Sequence, residues 1–450
     1  MVRVFKVRKG LDIKLKGKAE ATTYRCEPSG EIALSPSSFV GVVPKVVVRE
    51  GDSVKAGQPL FVNKHCPEVK FPAPASGVVT AIVRGERRKV VCVKIKTDNE
   101  QVYKDYGKHD LQKLSGDEVK ELLLDAGLFG FINRLPYAIS ACPDTTPKAI
   151  FVSALRDKPL AADFEYELKG NEEDFKKGIA ALSKMAKVYL GIGKNQKSEA
   201  LTGVENAEVC VFDGPCPAGN VGVQVNHISP VNKGETVWTV EPTAVIFIGR
   251  LFNTGKVDLR RLVAVVGSEV RNPAYTEVVI GEKISTLLDG RLTGNGRKVR
   301  IIDGNVLTGV KTSMDGYIGA HSSELTVIPE GDDANEFLGW IMPRLNMFSS
   351  SHSYLSWLFK KKEYVLDARI KGGERHIIMS GEYDKVFPMD ICAEFLIKAI
   401  IAGDIEKMEE LGIYEVAPED FALAEFVDSS KLELQRIVRR GLDMLRKENA

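Results

Sequence analysis

The sequence lacks any Cys-x-x-Cys pair, any apolar run of the ~20 residues that a membrane-spanning helix needs, and any appreciable net charge. Seven cysteines, at positions 26, 66, 92, 142, 210, 216 and 392, lie singly along 450 residues. Iron–sulfur and zinc sites draw several thiolates or histidines together, so neither is expected, and the odd, dispersed set reads as reduced thiols of a cytosolic protein. The most apolar helical stretch, Ile391 to Ala402, is interrupted by Glu394 and Lys398, so any membrane contact is expected to come through partners. Met1-Val2-Arg3-Val4-Phe5-Lys6 carries charge where a secretory leader is apolar, and export is not expected. Lys plus Arg total 62 against 61 for Asp plus Glu, leaving +1 and no basic field for nucleic acid.

What is present is an ordinary globular composition, 44% hydrophobic and 27% charged, at a length that suggests about three domains. From Gly41 to Lys96, short β-rich runs alternate with Gly and Pro, which predicts a small all-β unit. Within it, the string from Arg49 to Leu60, containing Gly51 and Gly57, resembles the first half of a biotinyl or lipoyl carrier, and Phe71 to Val79 resembles the second. That resemblance implies a barrel-sandwich hybrid fold. Lys64 falls in the connection where carriers bear their modified lysine, but Asn63 and His65 match neither carrier triplet, so a solvated hairpin lysine is expected.

Ser115 and Glu118 form a capping box that opens a helix carrying Val119, Leu122 and Leu123, with Gly127 as its stop. Beyond it come a buried-type strand from Ala149 to Ala154, a helix from Glu172 to Lys187, and strands at Val188–Leu190 and Glu208–Phe212. This alternation predicts a Rossmann-like α/β unit. Gly191-Ile192-Gly193 lacks the third glycine of a dinucleotide fingerprint and reads as a turn. Short strands return between Arg260 and Thr312, where Pro273 to Gly309 resembles a soluble-ligand-binding β-grasp module. After Pro329 the texture is helical. Asp404 precedes a helix stopped by Gly412, and Leu434, Ile437, Val438, Leu442 and Leu445 form a packing stripe. The expected α+β multidomain architecture is therefore a barrel-sandwich domain over 1–105, an α/β domain over 106–257, a β-grasp domain over 258–328 and a helical domain over 329–450.

Several strings carry a full-length resemblance: Gly57-Gln58-Pro59-Leu60-Phe61, Arg84-Gly85-Glu86-Arg87-Arg88, Lys158-Pro159-Leu160-Ala161-Ala162, Pro217-Ala218-Gly219, Ile248 to Gly255, Phe337-Leu338-Gly339-Trp340 and Pro388-Met389-Asp390. In this order they resemble the family of A subunits of the sodium-translocating NADH:quinone oxidoreductases. The resemblance implies a peripheral subunit on the cytoplasmic side of the bacterial inner membrane, docked on five other subunits, principally the membrane-embedded B subunit. It also implies that FAD, FMN, riboflavin and iron–sulfur centres reside in those other subunits. Quinone is the substrate at this subunit's end, and the chain itself has no redox cofactor.

The middle of the chain also resembles flavin-binding subunits of complex I and of the Rnf complex, whose phosphate loop is glycine-rich. Here the equivalent Gly127-Leu128-Phe129-Gly130-Phe131-Ile132-Asn133-Arg134-Leu135-Pro136 is crowded with apolar side chains, and the C-terminal region holds only Cys392 for a cluster that needs several thiolates. Two readings of the aromatic segments stay open. Phe39 beside Ser38, together with Phe129, Phe131, Arg134 and Tyr137, could wall a quinone, with Arg134 and Tyr137 donating to its carbonyls. Alternatively the rings plug a vacated flavin pocket and Arg134 meets a surface carboxylate. Gly214 to Gly219 and Gln224 to His227 hold too few histidines for a metal role, and Glu425 to Lys431 has no cysteine. The basic hairpin Arg84 to Arg88 suits an acidic partner, phospholipid headgroups or plain solvent. Two rival classes remain: an electron-input flavoprotein like the C subunit of the Rnf complex, and a biotin or lipoate carrier.

Overall fold

The computed structural model describes residues 2–332, 344–359 and 361–449. The string Phe337 to Trp340 lies outside them.

A seven-stranded sheet organises the middle of the chain, in the order Arg3–Lys6, Glu208–Asp213, Val188–Gly193, Ile150–Ser153, Val237–Val240, Ile132–Leu135, Ile139–Ser140. The first five run parallel, Ile132–Leu135 pairs antiparallel with Val237–Val240, and Ile139–Ser140 pairs antiparallel with Ile132–Leu135. From Ile150–Ser153 the chain winds outward through Val188–Gly193 to Glu208–Asp213, then returns to place Val237–Val240 on the other flank. This reversal creates a topological switch point at the carboxyl ends of two neighbouring strands. The capping box is present as expected: Glu118 N–H donates to Ser115 Oγ at 3.3 Å and Ser115 N–H to Glu118 Oε2 at 2.7 Å. Gly127 ends that helix with a φ of 74°.

Helices Glu172–Met185 and Pro242–Thr254 cross on one face of the sheet at backbone contact. A Cβ on Gly249 would lie 1.7 Å from the Asp174 carbonyl oxygen, and one on Gly178 2.0 Å from that of Val245. Gly191 serves a similar purpose. It lies inside a strand, not in the expected turn, and a Cβ there would strike the Gln224 side chain of helix Val221–Ile228.

The N-terminal β unit consists of a four-stranded and a three-stranded sheet built from residues 31–97. Lys64 is exposed at the hairpin between Pro59–Asn63 and Cys66–Pro72. The turn is tied down by Lys64 N–H to the Val43 carbonyl at 2.7 Å and by the buried Asn63 side chain.

The first residues depart from the expected 1–105 unit. Arg3–Lys6 pairs with Glu208–Asp213, and residues 10–24 run beside Lys385, Cys216 and Tyr275. A strand whose partner lies so far along the chain leaves no local signature.

Beyond Lys256, a five-stranded sheet in the order Ala274–Val279, Arg260–Val266, Glu324–Pro329, Val299–Asp303, Val310–Thr312 packs on helix Ile284–Leu288. The C-terminal helices Ala393–Ala402, Ile405–Glu410 and Leu434–Glu448 follow. Leu434, Val438, Leu442 and Leu445 are fully buried, so that stripe is packing. No helix among the described residues is long and apolar enough to cross a membrane.

Candidate functional site

At the switch point lies a cleft of about 1040 Å³, at the top of the usual range for ligand pockets. Its floor comes from the turns after the two central strands, with Arg156, Asp157 and Lys158 on one and Glu241 and Pro242 on the other. One wall comes from Ser38, Val40, Asn133, Leu135 and Ala138, and the opposite one from residues 303–324, with Glu419 at the edge.

The five sequence-predicted contact residues do not line this cleft. Phe39, Phe129 and Phe131 are 2%, 0% and 1% exposed. Phe39 and Phe131 meet edge to face at 5.3 Å, Phe39 packs on Phe71 at 4.4 Å, and Phe129 meets Trp238 at 5.3 Å. Alternation along Ile132–Leu135 turns Asn133 and Leu135 toward the cleft and Arg134 away from it. The Arg134 guanidinium lies 5.7 Å from the Tyr137 ring centroid, and its buried Nε has no hydrogen-bond partner. Among the described residues it meets no carboxylate either. The Tyr137 hydroxyl faces Asn449 at 3.5 Å in the chain's last turn. Phe39 and Phe131 still bear on the cleft indirectly, since both rings pack on His321, at 5.4 and 5.5 Å, and His321 is part of its lining.

The Gly127–Pro136 loop offers no open phosphate cradle. Leu128–Phe131 is a buried single turn, and a Cβ on Gly130 would lie 2.6 Å from the Phe71 ring. Glycine allows close approach here, but the approaching group is hydrocarbon.

The cleft's charges were not foreseen. Arg156 donates to the buried Glu167 at 2.7 Å and to Thr243 Oγ1 at 2.9 Å, while Thr243 donates to Glu167 Oε1 at 2.8 Å, closing a triangle. Lys158 pairs with Glu419 at 2.8 Å. Asp157 accepts from Gly219 N–H at 2.7 Å, and burial pushes its carboxyl up to about 6. Asp303 accepts from Gly319 N–H at 3.0 Å with its other oxygen unpartnered, and burial likewise raises it to about 6. Asp420, behind Asn220, is raised by burial, then by neighbouring Glu419, to about 7. The one signal in the sequence was the run Arg156-Asp157-Lys158 directly after a buried strand.

Asn220 donates to Asp420 Oδ1 at 3.3 Å while its own buried Oδ1 has no partner. The Asn220 amide also donates to the Glu419 carbonyl at 3.2 Å, and burial disfavours the charged form of Asp420, so its carboxyl keeps a proton to higher pH. Between the ordinary aspartate value of 3.8 and about 7, the folded chain therefore holds a proton that the unfolded chain has released. Stability from this group is greatest at the acid end of that window and falls as pH rises, by up to about 1.4 kcal/mol per pH unit for one fully coupled proton. The urea midpoint of the parent, taken relative to that of Asp420→Asn, should fall as pH rises across the window. Parallel curves would show that this carboxyl is ionised throughout.

Together these features define a multidomain α/β protein with a cleft at its sheet switch point and a barrel-sandwich unit appended. Residues 5–98 match the NqrA N-terminal barrel-sandwich hybrid domain, residues 114–257 the NqrA second alpha/beta domain, and residues 262–314 the NQRA C-terminal domain. The A subunit of the Na(+)-translocating NADH-quinone reductase of Neisseria meningitidis serogroup B (strain MC58) is 35% identical, over 99% of this chain and 100% of that one. Its counterpart in Haemophilus influenzae (strain PittGG) is 36% identical, over 98% and 99%. The chain belongs to the NqrA family, the A subunits of Na(+)-translocating NADH-quinone reductases. Among solved structures, the air-oxidized NAD+-reducing [NiFe]-hydrogenase is 11% identical with a TM-score of 0.34, covering 51% of this chain and 52% of that one, too slight a likeness to argue from.

Proposed function

We propose that the chain is the peripheral, cytoplasmic-side subunit of a pump that oxidises NADH, reduces quinone and exports Na+, and that its switch-point cleft receives the quinone head. The observation that carries this reading is the mixed wall of the cleft. Val40, Leu135 and Ala138 supply hydrocarbon against which a flat ring can lie. Asn133, with no side-chain hydrogen bond among the described residues, supplies a free amide for a carbonyl. Lys94 and Arg156 add positive charge where reduction places electron density on oxygen.

In this reading the chain holds no redox cofactor of its own. Support comes from the phenyl-packed Gly130 and from the single cysteine of the C-terminal region. FAD, FMN, riboflavin and iron–sulfur centres then sit in the five partner subunits, of which the B subunit is the principal membrane partner. The sheet over residues 260–329 serves as a β-grasp module facing the cleft, and the helical tail closes its far edge.

Binding of a short-chain ubiquinone to the full chain tests the cleft. Val40→Trp, which fills it, and Asn133→Leu, which removes the amide, should each raise Kd by about tenfold. Tyr137→Phe should leave it unchanged. Unaltered affinity in both cleft variants would remove the quinone from this site.

A further inference from the structure

The run Leu355-Ser356-Trp357-Leu358-Phe359 precedes Lys360-Lys361-Lys362, and no Asp or Glu occurs between Arg344 and Lys362. We propose that this segment is a wedge that seats directly in the headgroup layer of an anionic phospholipid bilayer. The proposal rests on this surface alone and stands apart from the quinone reading. It also goes beyond membrane contact made only through partner subunits.

Four of the five residues in the run face outward: Leu355, Trp357, Leu358 and Phe359 are 42%, 49%, 54% and 45% exposed, and Leu345 beside them is 48% exposed. They are not a loose stretch of chain. Ser356 is buried, receives Ser349 N–H at 3.0 Å and donates to the Ser349 carbonyl at 3.3 Å. Buried Tyr364 holds the other end, with its N–H on the Lys14 carbonyl at 2.9 Å and its carbonyl receiving Lys16 N–H at 3.0 Å. The base is thus pinned to the body while the apolar side chains project from it.

The charge around the wedge selects the occupant. Lys362 donates to the Leu345 carbonyl at 2.8 Å and lies 5.8 Å from the Phe359 ring centroid, which fixes a cation at the rim of the patch. Lys361 is exposed beside it. Trp and Phe bordered by Lys is the composition of segments that lie at a bilayer surface. Apolar rings enter the acyl boundary while ammonium groups remain with lipid phosphates.

The test uses the full chain and vesicles of phosphatidylcholine with or without phosphatidylglycerol. The parent should sediment with the phosphatidylglycerol vesicles, far less with phosphatidylcholine alone, and less as salt is raised. Trp357→Ser combined with Leu358→Ser should lower that partition by about tenfold or more at an unchanged urea midpoint. In a Trp340→Phe background the tryptophan emission should move to the blue on binding, and adding Trp357→Phe should abolish most of the movement, since the remaining Trp238 is buried. Absence of parent binding to phosphatidylglycerol vesicles, or equal partition of parent and double variant, would overturn the wedge.

Discussion

Phe131→Ala is expected to cost the folded chain about 3–5 kcal/mol, read as a lower urea midpoint with little change in slope. The ring touches Phe39 at 5.3 Å, Phe247 at 5.8 Å and His321 at 5.5 Å, and so bonds the barrel-sandwich unit to the α/β sheet within one continuous core. Truncation leaves a cavity at that junction, and neighbours held in two separate units cannot easily collapse into it. The measurement also separates the two readings that the sequence left open. A ring that walled a quinone in an open site would give way with altered quinone affinity and a stability loss below about 1 kcal/mol. That outcome would return Phe131 to the list of ligand contacts.

Glu167→Ala should be about as damaging, again about 3–5 kcal/mol, because it leaves the Arg156 guanidinium largely enclosed without its carboxylate. The side chains of Arg156 and Glu167 are only 13% and 3% exposed, and Thr243 bonds to both. Removing one partner costs far more than the pair contributes, since the expense lies in the stranded charge. Replacing Arg156, Glu167 and Thr243 together by apolar residues of similar volume should therefore restore much of the stability lost in the single variant. Equal loss in the single and triple variants would mean that packing, not charge, sets the cost.

Local chemistry made much of the fold legible. The Gly-rich punctuation of residues 41–96, the Ser115–Glu118 box, the Asp404 cap and the stripe from Leu434 to Leu445 all act within a few residues of themselves, and each is present in the structure. Features that depend on distant partners were not readable. Gly191 looks like a turn residue until helix Val221–Ile228 brings Gln224 against it. The cleft draws on turns after two strands, on Lys94, on residues 303–324 and on Glu419, so its charges assemble only once five stretches of chain have met. The aromatic segments lie beside the cleft, but neighbouring residues line it in place of the named side chains. Ser38 and Val40 flank Phe39 at the end of a short helical turn, and Asn133 precedes Arg134 on strand Ile132–Leu135; in both places a shift of one residue separates the cleft lining from its neighbours.

The pairing of Arg3 with Cys210 has a consequence for how the protein is made. Ribosomes add about 5–20 residues per second, so the earliest strand emerges ten seconds or more before its mate and must wait unpaired. Throughout that interval the outer edge of Glu208–Asp213 does not yet exist to receive it, and afterwards it stands briefly open to any other extended segment. The strand of this sheet that is translated first is thus among those added late, since Arg3–Lys6 can be stitched in only once Glu208–Asp213 has been made.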